Sequence, residues 1–296
     1  MRNHFTNFVL NHHEFSKSAK LFSSIIIIFT VINTISILPD IYGIYSKYGF
    51  VNADTNKVFI SSEKITLNYL TDIIEKLGIN YQYSFISVMI IYMASLIMIL
   101  FNYWQLFFSV LALVLHTIFL NSTYLLSYGA DFMINFLLYV NIFFCLKQYL
   151  SEEVYNRIFS FTVRTMQIQL CVIYFFGGFG KSLGYDWYTG DAIWLSLNHY
   201  INEDLFNSII DYIPKYIYQI FSLGILFLEL LYPFLIYNKK TTKATLTLII
   251  LMHIAISLII GLHTFALAMI LFNLIAFYPK GMINLERKIQ EKLIMT

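Results

Sequence analysis

His116, Lys181, Glu229 and His253 each stand inside, or at the edge of, a long apolar stretch of the sequence. Ionisable groups in such surroundings cost free energy, so they are retained where they are paired or where they act. A lysine beside an apolar wall gives up its proton more readily than one in water and can serve as base or nucleophile. Glu229, in FLELLYPFLI, needs a partner or a proton, and Pro233 one turn further on can kink its helix and free carbonyl groups. The two histidines add hydrogen-bond donors and proton carriers. Structural readings stand beside each of these: Lys181 reaching a headgroup layer, a protonated Glu229 bonded to a neighbouring helix, and histidines acting as packing donors between helices.

The segment VIYFFGGFGKSLGYDWYTGDAIWLSLNHY (172–200) holds most of the remaining chemistry. An apolar run meets Gly177, Gly178 and Gly180, which permit a close backbone approach or a sharp break. Lys181 follows, then Asp186, Trp187, Asp191, Asn198 and His199. These last five, with Asp131 and His263, are the groups placed to bind a substrate around Lys181, His116, Glu229 and His253. The simpler reading puts Trp187 and Trp194 in an interfacial aromatic belt and the aspartates in water, with Asp131 an N-cap carboxylate at the positive end of a helix dipole. A metal site is not supported. There is no HxxxH, CxxC or paired-carboxylate motif, and His253 and His263 lie about 15 Å apart along a straight helix. GGFG lacks the lysine-and-hydroxyl pattern of a phosphate-binding loop and follows an apolar helix rather than a strand.

The elements that must position these groups are membrane helices. Hydrophobic residues make up 58% of the 296 and charged residues 12%, against roughly 25% charged in soluble domains. A bilayer-crossing helix needs about 20 mostly apolar residues. Windows near that length fall at 21–39, 84–101, 104–120, 131–147, 163–180, 216–237, 244–262 and 264–279. The expected fold is an all-α polytopic transmembrane bundle of about eight spans, within a range of six to eight, forming one domain over 21–280. Spans two and three are joined by the short turn Asn102-Tyr103, and Pro39 and Pro279 close the first and last spans. Residues 40–82 form a long loop in which SSEKITLNYLTDIIEKLG reads as a surface helix. Ser61 or Ser62 would cap it, Glu63 follows, and Leu67, Leu70, Ile73, Ile74 and Leu77 make one apolar stripe. Residues 1–20 are polar without a cleavable signal, and 281–296 read as an amphipathic basic tail.

With both ends inside, the inner segments hold 13 of the 19 lysines and arginines, and four of the other six sit in the 40–82 loop. That bias supports eight crossings with both termini in the cytoplasm of a cell whose plasma membrane the protein spans. It places Lys181 at the outer edge. The net charge of +2 is scattered rather than patched, which argues against nucleic acid as a partner. Cys145 and Cys171 both fall in apolar stretches and read as thiols rather than a disulfide.

The segment IYFFGGFGKSLGYDWYTGDAIWLSLN resembles the signature of the HTTM domain family, bacterial relatives of the vitamin K-dependent γ-carboxylase, through Gly180-Lys181, Trp187 and Gly190. Residues 116–144, around Gly129 and Asp131, and 253–279, through His253, Gly261, Phe265 and Pro279, are similar to further family segments, and Glu229 with Pro233 fits the acidic residue of the preceding span. The length is closer to the SdpB branch, membrane proteins needed to mature a secreted peptide toxin. The resemblance implies a lipid-embedded protein acting on a secreted SdpC-like antimicrobial peptide precursor, with a small soluble SdpA-like partner. In the carboxylase a lysine of this segment deprotonates reduced quinone; Lys181 is the nearest match, but Ser182 stands where the carboxylase has a second lysine. Three functions follow: a peptide-modifying enzyme with Lys181 as base and Glu229, His116 and His253 around it; a non-catalytic export or immunity module; and a quinone-linked oxidoreductase.

Overall fold

The structure, a computed structural model, describes residues 13–51, 53–59, 64–200 and 213–284, with 287 and 291. Among the described residues the only regular elements are helices. Seven are long and apolar enough to cross a membrane: Phe15–Ser36, Tyr81–Leu100, Gln105–Ser122, Gly129–Gln148, Glu152–Ser182, Lys215–Tyr237 and Thr242–Ile260. The expected eighth span is the shorter apolar helix His263–Phe277. Its 15 residues reach about 22 Å, short of a hydrocarbon core about 30 Å thick. Many large apolar side chains point outward, Ile32 at 56%, Ile90 at 61% and Phe234 at 71% exposed among them. Such faces are stable against lipid and not against water. The protein is an all-α, multi-pass membrane protein.

The chain divides into two compact units, 1–162 and 163–296. In the first, α1 (Ala19–Ser36), α5 (Tyr81–Leu100), α6 (Gln105–Ser122) and α7 (Gly129–Cys145) pack in a closed ring, α1 on α5, α5 on α6, α6 on α7 and α7 on α1. Small residues line their contacts: Ser84, Ser95, Ser109 and Ala112 are each at most 1% exposed. With no hydrophobic drive between helices in lipid, close approach at small residues supplies the packing. Ser95 satisfies its hydroxyl on the Tyr92 carbonyl at 2.7 Å, whereas Ser109 accepts from the Asn141 amide of α7 at 3.0 Å. Phe22, Phe144 and Phe159 stack at centroid distances of 5.6–6.3 Å. The turn between α5 and α6 is tight, with Asn102 at φ +58° and Trp104 at φ +42°, left-handed conformations rare for an aromatic residue. The Gln105 amide braces it by donating to Asn102 Oδ1 at 2.7 Å.

The loop before α5 holds α2 (Ile41–Tyr45), α3 (Ala53–Phe59) and α4 (Leu67–Glu75). The expected surface helix is α4, but it starts at Leu67 behind a Thr66 cap; Ser61, Ser62 and Glu63 lie outside the described residues. Of the expected stripe, Leu67 is buried while Ile73 and Leu77 are exposed. Lys47 ties this loop to α4 through Glu75 at 3.1 Å. Burial works against the ammonium, but that hydrogen bond and the carboxylate charge outweigh it and raise its pKa. Asn56 Nδ2 donates to the carbonyls of Asn121 at 3.0 Å and Ser122 at 2.7 Å, the last of α6. Those carbonyls have no partner within their own helix, so Asn56 acts as an external cap.

The helix α8 (Glu152–Ser182) is 31 residues long, beginning well before the expected 163 and running on through the glycines. Arg164 is 7% exposed within it; its guanidinium donates to Gln167 and lies 5.8 Å from the Tyr237 ring. In the second unit the later part of α8 is joined by α9 (Tyr185–Thr189), α10 (Asp191–Tyr200), α11 (Lys215–Tyr237), α12 (Thr242–Ala255), a π-helical turn over Ile256–Ile260, and α13 (His263–Phe277). Residues 279–284 add a final helical stretch, and most of the expected tail lies outside the described residues.

Candidate functional site

Tyr174, Gly177, Gly178 and Lys181 share one face of α8, three and four residues being one turn. The glycines do not break the helix. A Cβ on Gly178 would lie 2.6 Å from the Leu230 nitrogen, so the backbones of α8 and α11 touch there. A Cβ on Gly177 would lie 3.3 Å from Glu229 Oε2. The bare glycine face therefore admits the Glu229 side chain. Lys181, in the last turn of α8, sits at the negative end of the helix dipole. Its Nζ donates to Glu229 Oε2 at 2.6 Å and lies 5.2 Å from the centre of the Trp187 ring. The lysine side chain is 26% exposed and the glutamate 9%. Trp187 is held by its own support. Gly190, at φ +85°, packs so closely on α11 that a Cβ would come within 2.5 Å of the Gln219 nitrogen. The Gln219 amide donates to the Tyr188 carbonyl at 2.8 Å.

On the same face of α8, Tyr174 Oη lies 2.9 Å from His253 Nε2. Asn273 Nδ2 donates to Tyr174 Oη at 2.8 Å and to the Met269 carbonyl at 2.9 Å. Tyr232 Oη donates to Asn273 Oδ1 at 2.7 Å, and its ring centre lies 4.2 Å from that of Tyr174. All four side chains are at most 2% exposed. Lys181 is within electrostatic reach of the His253 ring, and Glu229 of Tyr174. Among the buried polar atoms of this unit without a partner among the described residues are His253 Nδ1, Tyr218 Oη and Ser222 Oγ. Tyr218, Ser222 and Glu229 are all buried positions of α11 at helical spacing, so a polar edge runs along that helix.

The remaining expected site residues are distributed as follows. His116 belongs to the first unit, where Nδ1 meets Tyr92 Oη at 3.0 Å and Nε2 the Asp131 carbonyl at 3.4 Å. Asp131 lies in the first turn of α7, not at the N-cap; its carboxylate reaches back to accept from the Tyr128 N–H at 3.0 Å. Asp186 is exposed in the first turn of α9. Asp191 accepts from Thr189 Oγ1 at 2.7 Å and pairs with Lys215 at 3.2 Å. Those hydrogen bonds and the Lys215 charge hold its carboxyl below the usual carboxylate range. His263 Nδ1 lies 2.9 Å from Ser257 Oγ, across the π-helical turn. Asn198 and His199 fall in α10, and their side chains lie outside the described residues.

Tyr174, Tyr232 and Asn273 are absent from the expected set. Asn273 carried a signal, a lone amide in an apolar helix; the two tyrosines did not, being two of 23. Chemically, the Lys181–Glu229 contact is a short, charge-assisted hydrogen bond at the edge of the buried part of the unit. No cluster of metal-ligating side chains occurs among the described residues.

No curated protein and no solved structure matches the chain. The HTTM domain model matches residues 22–280, taking in both units and every group of the Lys181 site. The chain belongs to the HTTM domain family.

Proposed function

We propose that this protein is a membrane-embedded acid–base factor that matures a secreted antimicrobial peptide precursor, with the Lys181 amine as its base. The observation that carries the reading is the 2.6 Å contact between Lys181 Nζ and Glu229 Oε2 beneath Trp187. A lysine held as a permanent ammonium is no base. One that can hand its proton to an adjacent carboxylate is. In the neutral pair, the amine takes a proton from the substrate and Glu229 passes its own to bulk water, so that the charged pair re-forms and one proton has moved from substrate to solvent. His253 is the further pocket group of the same unit in this reading. In this reading Asp186, Trp187, Asp191 and His263, all of the second unit, contact the peptide.

The peptide substrate is supported by the likeness to the SdpB branch, which also points to a small soluble SdpA-like partner. The distribution of lysine and arginine supports both termini lying inside the plasma membrane, with Lys181 at the outer face where an exported precursor arrives. A quinone-linked reaction has one observation in its favour: His253 Nδ1, buried without a partner, is the donor type that holds a quinone oxygen. A reduced quinone would supply electrons there, and the chain would hold its oxygen.

The test is co-expression of the cognate precursor with wild-type protein, Lys181→Ala or Lys181→Arg, with membrane levels matched by immunoblot. Peptide mass and toxicity are the readouts. Neither variant is expected to yield mature peptide, because arginine does not deprotonate. Full maturation by Lys181→Arg would make the site a binding or export module.

A further inference from the structure

The directions of the hydrogen bonds around Tyr174 are fixed by elimination. The Met269 carbonyl can only accept, so the Asn273 atom 2.9 Å from it is the amide nitrogen, and Asn273 Oδ1 is the acceptor facing Tyr232. The Tyr232 hydroxyl therefore donates to Asn273, and the Asn273 amide donates to Tyr174. The Tyr174 hydroxyl proton has His253 Nε2 within reach at 2.9 Å. If the tyrosine gives that proton to Nε2, one buried polar group is left over, an N–H at His253 Nδ1. If the histidine gave its proton to the tyrosine instead, both the tyrosine proton and the Nδ1 lone pair would be stranded. Each stranded group costs roughly its full desolvation penalty, so the first arrangement prevails.

We infer that His253 presents a fixed Nδ1–H donor to a carbonyl oxygen of a bound ligand, with Tyr174, Asn273 and Tyr232 as the positioning residues that set its tautomer. A buried donor kept open at the end of a fully satisfied chain is the half of a hydrogen bond that a ligand completes. A neutral acceptor fits better than a carboxylate, because Glu229 already supplies the negative partner for Lys181. The carbonyl comes from one of two sources, the amide of a peptide or the ring oxygen of a quinone. The peptide source rests on the function proposed above; the tautomer does not.

The experiment is solid-state NMR of ring-15N-histidine protein in lipid nanodiscs, with the His253 signals assigned by their loss in His253→Gln. The expected spectrum has a protonated Nδ1 and a bare Nε2. In Tyr174→Phe the ring is released to the other tautomer or to a mixture, while His116 and His263 keep their signals as a check on folding. A protonated Nε2 in the wild-type protein, or a His253 spectrum unmoved by Tyr174→Phe, overturns the assignment. Two probes then address the ligand, a short acetylated peptide amide and decyl-ubiquinone. A shift of the Nδ1 resonance with one of them supports the carbonyl site and identifies its source. No shift with either rejects the ligand. If Lys181→Arg matures peptide normally while Nδ1 responds to a probe, the base role fails and this site stands.

Discussion

Gly178→Ala tests whether the glycine face of α8 is a contact or a spacer. The added methyl would sit 2.6 Å from the Leu230 nitrogen and 3.0 Å from its Cα, both backbone atoms that cannot rotate away. An optimal non-bonded contact is ~3.5 Å, so the two helices must part by about 0.9 Å. Overpacking of this kind costs about 1–3 kcal/mol. If α11 takes up the whole movement, the Lys181–Glu229 contact opens from 2.6 Å to about 3.5 Å, outside hydrogen-bond range. Gly180→Ala is the control two residues on. Its methyl meets nothing within 4 Å, and alanine is favoured over glycine in a helix by up to about 1 kcal/mol. SDS titration in mixed micelles should therefore destabilise Gly178→Ala and leave Gly180→Ala equal to wild type or better. Peptide maturation should fall only in the first. Equal stability of Gly178→Ala and Gly180→Ala would refute the close-contact argument.

The other predictions concern charge. Lys181→Met alone leaves Glu229 unpaired and should cost about 2–3 kcal/mol, below the ~3–5 kcal/mol of a fully buried pair because the lysine is partly solvated. Lys181→Met with Glu229→Leu should recover that stability in the same titration without recovering maturation; a double variant no more stable than the single one would remove the pair from the account. Asp191 has a lowered folded pKa, so the stability it contributes is present above its unfolded value, about 3.9, and is lost as pH falls through the folded value. The thermal midpoints of wild type and Asp191→Asn should thus differ at neutral pH and converge in acid, and a gap that widened on acidification would reverse the sign.

Apolar runs of sufficient length made the spans readable from sequence, and the ends of most agree with the helices within a few residues. The exception is α8, whose part before 163, with Glu152, Glu153 and Arg157, fell outside the expected span. Arg164 is tolerated inside because Gln167 and the Tyr237 ring receive it, neither of which periodicity reveals. Lys181 and Glu229 stood out singly as charges in apolar surroundings. Their pairing across 48 residues could not be read, nor could the role of Gly178, since a glycine permits a break and a contact equally. The Tyr174 chain was hidden for a different reason. Tyr174, Tyr232 and Asn273 carry no charge, and their hydroxyls and amide meet across different helices.

The Asn56 cap has a consequence for assembly in the membrane. Its two acceptors belong to residues 121 and 122 and are therefore synthesised 65 and 66 residues later. Leu67 N–H, donating to Ser122 Oγ at 2.6 Å, waits on the same helix end. The 40–80 loop is thus synthesised before the helix end that caps it, and closes on it only when the last turn of α6 emerges. Docking of this loop therefore waits on α6, and a protease that nicks it in newly inserted chains but not in aged ones would be reading the completion of that helix.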